Sequence, residues 1–552
     1  MSIKYCLIIV FFGSILVSGM EIVNPGPKYP PTKGEVWPKP QYEKKENIFY
    51  TYNPSNFKVK VTNQNCEILS AAIERYSYIF RQRNSHPRDR RMRKRRNQRV
   101  VVNGTTRYDE LYDGALTELQ VELTSPCEEY PSFAMDERYH LRVANVSKIE
   151  TSSIWGAIRG LETFAQLFYL SPDSNEIRIN KTDIIDYPSY PHRGLLLDTS
   201  RHYITVHNIL NTLEAMAMNK MNVFHWHIVD DQSFPYQSEK FPDLSEKGAF
   251  HSSMVYTKED IERIVQYARN RGIRVIPEFD VPGHTRSWGA AYPSILTQCY
   301  QGENVIGLGP INPLSEVALR LIKDLFQEVQ QWFPDKFFHV GGDEVQLDCW
   351  ESNPELQEYM NRNNMTAADL HALFMRNAMP LLGNNTNAIV WQEVFDENVP
   401  LSQETIVQVW KYQPTSEMIN VLTAGHRVIF SSNWYLDHLS SEWTEYYKSD
   451  PRQMVYNIML DETVLSNIVG GEACMWSEMV DDRNVINRVW PRASAVAEKL
   501  WTSGLDRNER FSWHRSKSIP KEVYNRMEEH TCRMIRRGIN AQPPTGPGFC
   551  VG

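Results

Sequence analysis

Two rhythms of apolar positions divide the chain near residue 187. Before that point short strand-like runs, Phe57–Val61, Glu118–Leu123 and Tyr139–Val143, are mixed with helical periodicity. Ser153–Phe168 places Ile154, Ile158, Leu161, Ala165 and Phe168 at spacings of three and four, the repeat of one helix face. These elements predict a small α+β domain over residues 20–186. After Pro188 the pattern becomes strand, loop, helix, again and again. Candidate strands are Gly194–Asp198, Asn222–Asp230, Arg274–Asp280, Phe337–Asp343, Ala388–Glu393, Ile406–Trp410, Arg427–Ser431 and Val469–Trp476. Most are continuous apolar runs, as strands covered on both faces should be. Between them Val206–Asn219 carries Ile209, Leu213 and Met216 on one stripe. Thr257 and Asp260 form a capping-box signature before Ile261, Ile264, Val265 and Ala268. Pro491–Trp501 reads as the helix after the last strand, its proline suited to a first turn. Eight strands alternating with helices predict an α/β fold, a (β/α)8 TIM barrel, over residues 187–552.

Composition adds a compartment to this picture. Lys4, the apolar run Cys6–Val17 and the small residues Val17-Ser18-Gly19 read as a signal peptide over residues 1–19, too short for a membrane span. No later stretch reaches the roughly 20 apolar residues of a transmembrane helix. Asn103, Asn145, Asn180, Asn364 and Asn384 open glycosylation sequons, which fit a chain of the secretory pathway. Seven cysteines remain after the signal. Three neighbouring pairs suggest themselves, Cys66 with Cys127, Cys299 with Cys349 and Cys532 with Cys550, although spacing alone leaves the connectivity open. Cys474 is then left over in an apolar run, where an inert buried thiol is expected. The net charge of −8 conceals a basic run, Arg81–Arg99, of net +9. In a secreted chain this is expected to be an exposed loop, not a nucleic-acid site.

Chemistry gathers at the carboxyl ends of the eight strands, the face on which such barrels carry their active sites. The ends read Asp198-Thr199-Ser200-Arg201, Asp230-Asp231, Asp280 with Gly283-His284, Asp343-Glu344, Trp391-Gln392-Glu393, Trp410, Trp434-Tyr435-Leu436-Asp437 and Trp476-Ser477-Glu478. A pyranose ring lays its C–H face on an indole while its hydroxyls bond carboxylates and arginine, so this mixture predicts a carbohydrate site. His339-Val340-Gly341-Gly342-Asp343-Glu344 is the sharpest motif. Adjacent carboxylates repel, and one of them can keep its proton as a general acid must. In a regular strand the two would point to opposite faces, so the strand has to end before them, which Gly341-Gly342 permits.

His192–His202, His225–Asp231, His339–Glu344, Gly471–Trp476 and Trp490–Ala493 resemble glycoside hydrolase family 20, and within it the animal lysosomal β-N-acetylhexosaminidases. The likeness covers nearly the whole mature chain, and only Arg81–Arg99 has no counterpart. It implies exo-cleavage of terminal N-acetylhexosamine with retention, the 2-acetamido oxygen of the substrate acting as nucleophile. Glu344 is then the acid and base, Asp343 holds the acetamido N–H, and Tyr435 orients the acetamido oxygen. Trp391, Trp410 and Trp476 box in the sugar. Arg201, Asp230 and Glu478 grip its 3- and 4-hydroxyls, Asp437 meets the 6-hydroxyl, and His284 supports the acid. Some members carry Asn-Arg where this chain has Asp437-His438, and an Asp there disfavours anionic sugars. The resemblance further implies a homodimer, in the lysosome or outside the cell, with no cofactor and no metal. His225 and His227 share a strand face as zinc ligands do, but no matching later pair follows, and buried structural histidines are expected instead. The alternative is a glycan-recognition protein on the same fold, which retention of Asp343, Glu344 and Tyr435 argues against.

Overall fold

A computed structural model describes residues 33–82, 110–171, 176–456, 458, 461–502 and 519–544. The signal segment, Asn103, Cys550 and the basic run beyond Gln82 lie outside the described residues.

The N-terminal part is one eight-stranded mixed sheet. Its main order is Lys58–Asn63, Glu118–Leu123, Val146–Thr151, Tyr139–Val143, Ile177–Asp186, Tyr42–Tyr52 and Tyr112–Leu116, with Tyr169–Leu170 beside Ile177–Asp186. Glu118–Leu123 alternates half-buried and buried positions along its length, as a strand with one core face should. The expected helix runs from Ile154 to Gln166, and Ser153 caps it. It is not amphipathic in place, because every residue of it is buried. One side meets the sheet, and the other presents Arg159 to the backbone of the barrel, at Arg271 O (3.0 Å) and Gly272 O (2.9 Å).

The rest is a closed parallel barrel. Its strands, in chain order, are His192–Asp198, Val223–His227, Arg274–Glu278, Phe337–His339, Asn387–Trp391, Ile406–Val409, Arg427–Phe430 and Ile468–Met475, and the eighth pairs with the first. The helices Val206–Met218 and Lys258–Arg269 follow where periodicity placed them, the second with both halves of its capping box formed. At the N-terminal end of the strands Val223, Ile276, Phe337, Ile389, Ile406, Ile429 and Val469 fill the barrel as an apolar layer. Phe133 of the N-terminal part closes it against Phe337.

Buried ion pairs join the two parts. Glu137 accepts from Arg159 Nε at 2.8 Å and from Arg193 Nη2 at 2.6 Å, all three groups being fully enclosed. Lys220 donates to Asp186 at 2.7 Å and to the Tyr139 hydroxyl at 3.0 Å. Trp37 sits in the barrel core, whereas Trp501 sits in the core of the N-terminal part.

Disulfides join Cys66 to Cys127 and Cys299 to Cys349, Cys532 is disulfide-bonded, and Cys474 is a free buried thiol. Asn145, Asn364 and Asn384 are exposed. Asn180 is buried instead, and its Nδ2 donates to Glu46 O. No helix among the described residues is long and apolar enough to cross a membrane.

Candidate active site

Several strands end earlier than their apolar runs suggested, and this places the carboxylates in loops rather than on strands. The second strand stops at His227 and the fourth at His339. Beyond His339 the backbone turns through Gly341 (φ 67°) and Gly342 (φ 94°) into Glu344 (φ 49°). Gly341 is irreplaceable here, since a Cβ on it would lie 1.8 Å from Asp280 Oδ1. That close approach lets Gly342 N donate to Asp280 Oδ1 at 2.7 Å. The left-handed Glu344 then swings its carboxyl to the same side as that of Asp343. Both stand 3.7 Å from His284 Nε2, Asp343 largely buried and Glu344 with a side chain 59% exposed.

His284 links this pair to the other half of the site. Its Nδ1 is 3.2 Å from Asp230 Oδ1. Burial pushes His284 down, but Asp230 and Asp343 outweigh it and lift the ring to about 9. Asp230 Oδ2 in turn meets Arg201 Nη2 at 2.9 Å, and Arg201 Nη1 lies 3.0 Å from Asp198 and 3.7 Å from Glu478. The guanidinium of Arg201 stands 5.0 Å from the Trp476 ring centroid. Trp476 is 6.0 Å from Trp391, Trp391 is 6.3 Å from Trp410, and Tyr435 stacks on Trp410 at 5.9 Å. These rings wall an aromatic box beside Asp343. Burial holds the Tyr435 phenol well above its ordinary value, so it remains a hydrogen-bond donor. Asp437 is raised by burial with help from Glu478, against the opposing charge of His438. Trp434, another strand-end aromatic, is not at the mouth: it is buried and donates to Tyr446 O.

Four further carboxylates, to which the sequence motifs give no role, stand around the site. Asp280 sits under Asp343, and burial, Asp343 and Glu278 hold it well above the ordinary carboxylate range. Glu393 accepts from Trp410 Nε1 at 2.9 Å and is raised to about 7 by burial and Asp343. Glu278 accepts from Trp391 Nε1 at 2.7 Å, and Glu472 accepts from His192 and His225. The available signal was a charge two residues before the end of an otherwise apolar run, as at Glu278 within Arg274–Asp280.

His225 and His227 are ion-paired inside the barrel. Glu278, His225 and His339 lie close enough to share a metal ion; the Nδ1 atoms of the two rings are bonded to Glu472 and to Gly341 N, and their Nε2 atoms have no hydrogen-bond partner among the described residues. Burial alone would lower both histidines of the second strand. Flanking carboxylates outweigh it and lift His225 to about 9 and His227 to about 10. Unfolded imidazole releases its proton near pH 6.5. Stability from these rings is therefore complete below about pH 6.5 and declines as pH rises through 9 and 10. The melting temperature is expected to fall steadily from pH 7 to pH 10, and a flat profile over that range would contradict two buried imidazolium ions.

The chain matches the model of the glycosyl hydrolase family 20 catalytic domain over residues 190–504 and a β-acetyl hexosaminidase-like domain over residues 36–167. It is 42% identical to the β-hexosaminidase subunit beta of Felis catus, over 93% of each chain. To the subunit alpha of Bos taurus it is 38% identical, over 93% of this chain and 94% of that one. Among solved structures it resembles the chitobiase of Flavobacterium johnsoniae at 29% identity and a TM-score of 0.73, covering 91% of this chain and 73% of that one. The chain thus belongs to glycosyl hydrolase family 20, as an exo-β-N-acetylhexosaminidase with substrate-assisted catalysis.

Proposed function

We propose that Glu344 protonates the glycosidic oxygen while the substrate's 2-acetamido oxygen attacks C1, and that Asp343 and Tyr435 hold that acetamido group. The carrying observation is a set of buried polar atoms around one mouth that have no hydrogen-bond partner among the described residues: Asp343 Oδ1, Arg201 Nε and Asp437 Oδ1. Leaving such atoms unpaired costs about 1–3 kcal/mol each, so a ligand with matching groups is the natural partner. Asp343 Oδ1 accepts the acetamido N–H. Its negative charge offsets the positive charge that spreads over the acetamido group as the oxazolinium ring closes. Tyr435 donates to the acetamido oxygen, and Trp391, Trp410 and Trp476 enclose the methyl group and the ring face. The C1–oxygen bond to the leaving group breaks as Glu344 gives up its proton. Glu344 then takes a proton from water, which opens the ring at C1 with net retention.

Arg201, Asp230 and Glu478 bond the 3- and 4-hydroxyls. The cluster offers a donor in Arg201 and acceptors in Asp230 and Glu478 to a 4-hydroxyl of either configuration, so both GlcNAc and GalNAc are expected substrates. Asp437 takes the 6-hydroxyl. On the far side of Glu344 a shallow groove lined by Asp231, Arg286, Gly309 and Gln346 receives the leaving group. By the family likeness the chain works as a homodimer, in the lysosome or outside the cell.

Purified protein is expected to cleave aryl β-N-acetylglucosaminide and β-N-acetylgalactosaminide at acidic pH, and to leave aryl β-glucoside, which lacks the acetamido group, uncleaved. A 6-sulfated aryl substrate is expected to react about tenfold more slowly, because Asp437 opposes the sulfate. Binding of these sugars without cleavage would favour the recognition-protein reading instead. Comparable rates on the sulfated and neutral substrates would remove the role given to Asp437.

A further inference from the structure

The interior of this barrel departs from the apolar filling expected of the fold. Between the apolar layer and the sugar pocket lies a charged one. Glu472 Oε2 meets His225 Nδ1 at 2.8 Å, His225 Nε2 lies 3.0 Å from Glu278 Oε2, and that oxygen is 2.6 Å from His227 Nδ1. His227 Nε2 meets Asp230 Oδ2 at 2.7 Å, and Asp230 Oδ1 reaches His284. His284 ends the chain beside Asp343 and Glu344. Both ring nitrogens of His227 hydrogen-bond carboxylate oxygens, while His225 bonds Glu472 through Nδ1 and keeps Nε2 near Glu278 without a hydrogen bond. An imidazole satisfies two such acceptors only as the cation, so His227 is positive between Glu278 and Asp230, and Asp230 leads on to His284. The first strand makes room for this layer: a Cβ on Gly194 would lie 2.4 Å from Glu472 Cγ.

Buried charges of this kind cost stability relative to apolar packing, and a structural role alone is served better by leucine or isoleucine. We propose that Glu278 is a positioning residue that sets the charge balance beneath the catalytic acid, acting through His227, Asp230 and His284, and that it fixes the Trp391 indole through its second oxygen. The inference rests on Glu344 as the acid. Glu278 is placed for both tasks, because Oε2 holds His227 while Oε1 accepts from Trp391 Nε1. Other titratable or charged groups facing the chain are His339 at Glu278, His192 at Glu472, Asp280 and Arg201 around His284, and the two acids themselves. Burial pushes His192 and His339 down, and His339 Nδ1 accepts from Gly341 N, as an unprotonated nitrogen must.

Removing one charge has a definite sign. In Glu278→Gln at acidic pH, His227 keeps its proton because Asp230 still faces it. One positive charge is then uncompensated, and Glu344 loses its proton more readily. The basic limb of the kcat–pH profile is expected to move acidward by about one pH unit. The kcat at the optimum is expected to fall about 10–100-fold, since the positive charge growing at C1 and a loosened Trp391 are both unfavourable. His227→Gln removes the cation instead, and its basic limb is expected to move alkaline. The test is the pair of pH profiles on an aryl β-N-acetylglucosaminide, with folding checked by near-ultraviolet circular dichroism. Limbs that stay where the wild type has them, or that move the same way in both variants, overturn the proposal. If one variant fails to fold, the sign of the other decides. If neither folds, Glu472→Gln decides, with an acidward shift expected and an unmoved limb overturning the proposal. Loss of rate in Glu344→Gln together with unmoved limbs would defeat this inference alone. Full rate in Glu344→Gln would defeat the assignment of the acid beneath it.

Discussion

Glu344→Gln is expected to lower kcat by about 10²–10⁴-fold, the usual contribution of a general acid, while the protein keeps its melting temperature. The two halves of this result have separate causes. The Glu344 side chain is more than half exposed, and its ionic contact is with His284 at 3.7 Å, so replacing it by an isosteric amide removes little that holds the fold together. Its conformation is set by the backbone, through Gly341, Gly342 and the left-handed Glu344 itself, and glutamine inherits it. What is lost is the transferable proton. KM for an aryl β-N-acetylglucosaminide should therefore change little, because the contacts proposed for Asp343 and Tyr435 with the acetamido group and for Arg201 with the hydroxyls remain. The loss should shrink for aryl leaving groups that depart without protonation, since the acetamido nucleophile is still in place. A variant with near wild-type kcat on an unactivated glycoside would show that Glu344 is not the acid.

Glu137→Ala is expected to cost about 3–5 kcal/mol of stability, the largest effect foreseen for any single change away from the mouth. Glu137 is the one carboxylate bonded to both Arg159, on the helix of the N-terminal part, and Arg193, on the first barrel strand. The guanidinium groups of these arginines are otherwise spent on backbone carbonyls, Arg159 on Arg271 O and Gly272 O, Arg193 on Lys220 O and Tyr190 O. Alanine leaves two buried cations with no counter-ion. The measurement is the inactivation half-life at elevated temperature, alongside the denaturant midpoint of the purified variant. Since the site lies at the opposite ends of the strands, kcat per folded molecule should be unchanged at low temperature. A wild-type half-life would mean that the seam between the two parts is held by apolar contacts, with the ion pairs contributing nothing.

Much of the fold could be read from the chain because its signals are local. The apolar runs after Pro188 and the capping residues of Lys258–Arg269 depend on neighbours a few positions away, and they placed the barrel strands and helices correctly. The strand-end acids and tryptophans could be read for the same reason, since a barrel delivers every strand end to one mouth. Reading was poorest where apolar character outlasts the strand. The apolar runs Asn222–Asp230 and Phe337–Asp343 outlast their strands, because Ile228, Val229 and Val340 are buried beyond the strand ends. The helix Ile154–Gln166 showed a striped face in sequence and is buried on every side in the structure, because a second part of the molecule lies against it.

The sequence by itself determined the order of strands and helices, the family, and the acids and aromatics that gather at the mouth. Tertiary structure alone decided how those groups are charged and aimed. His225 is 247 residues from Glu472, and Trp391 is 113 from Glu278, so no periodicity connects them. A proton's affinity follows from burial and from opposite charges within a few ångströms, and both are set when distant strands close into a ring. Asp280 and Asp230 are the same residue type, each near the end of an apolar run. One is pressed against Asp343 and Glu278 and held above the ordinary carboxylate range, while the other sits between His227 and His284 and is held below it.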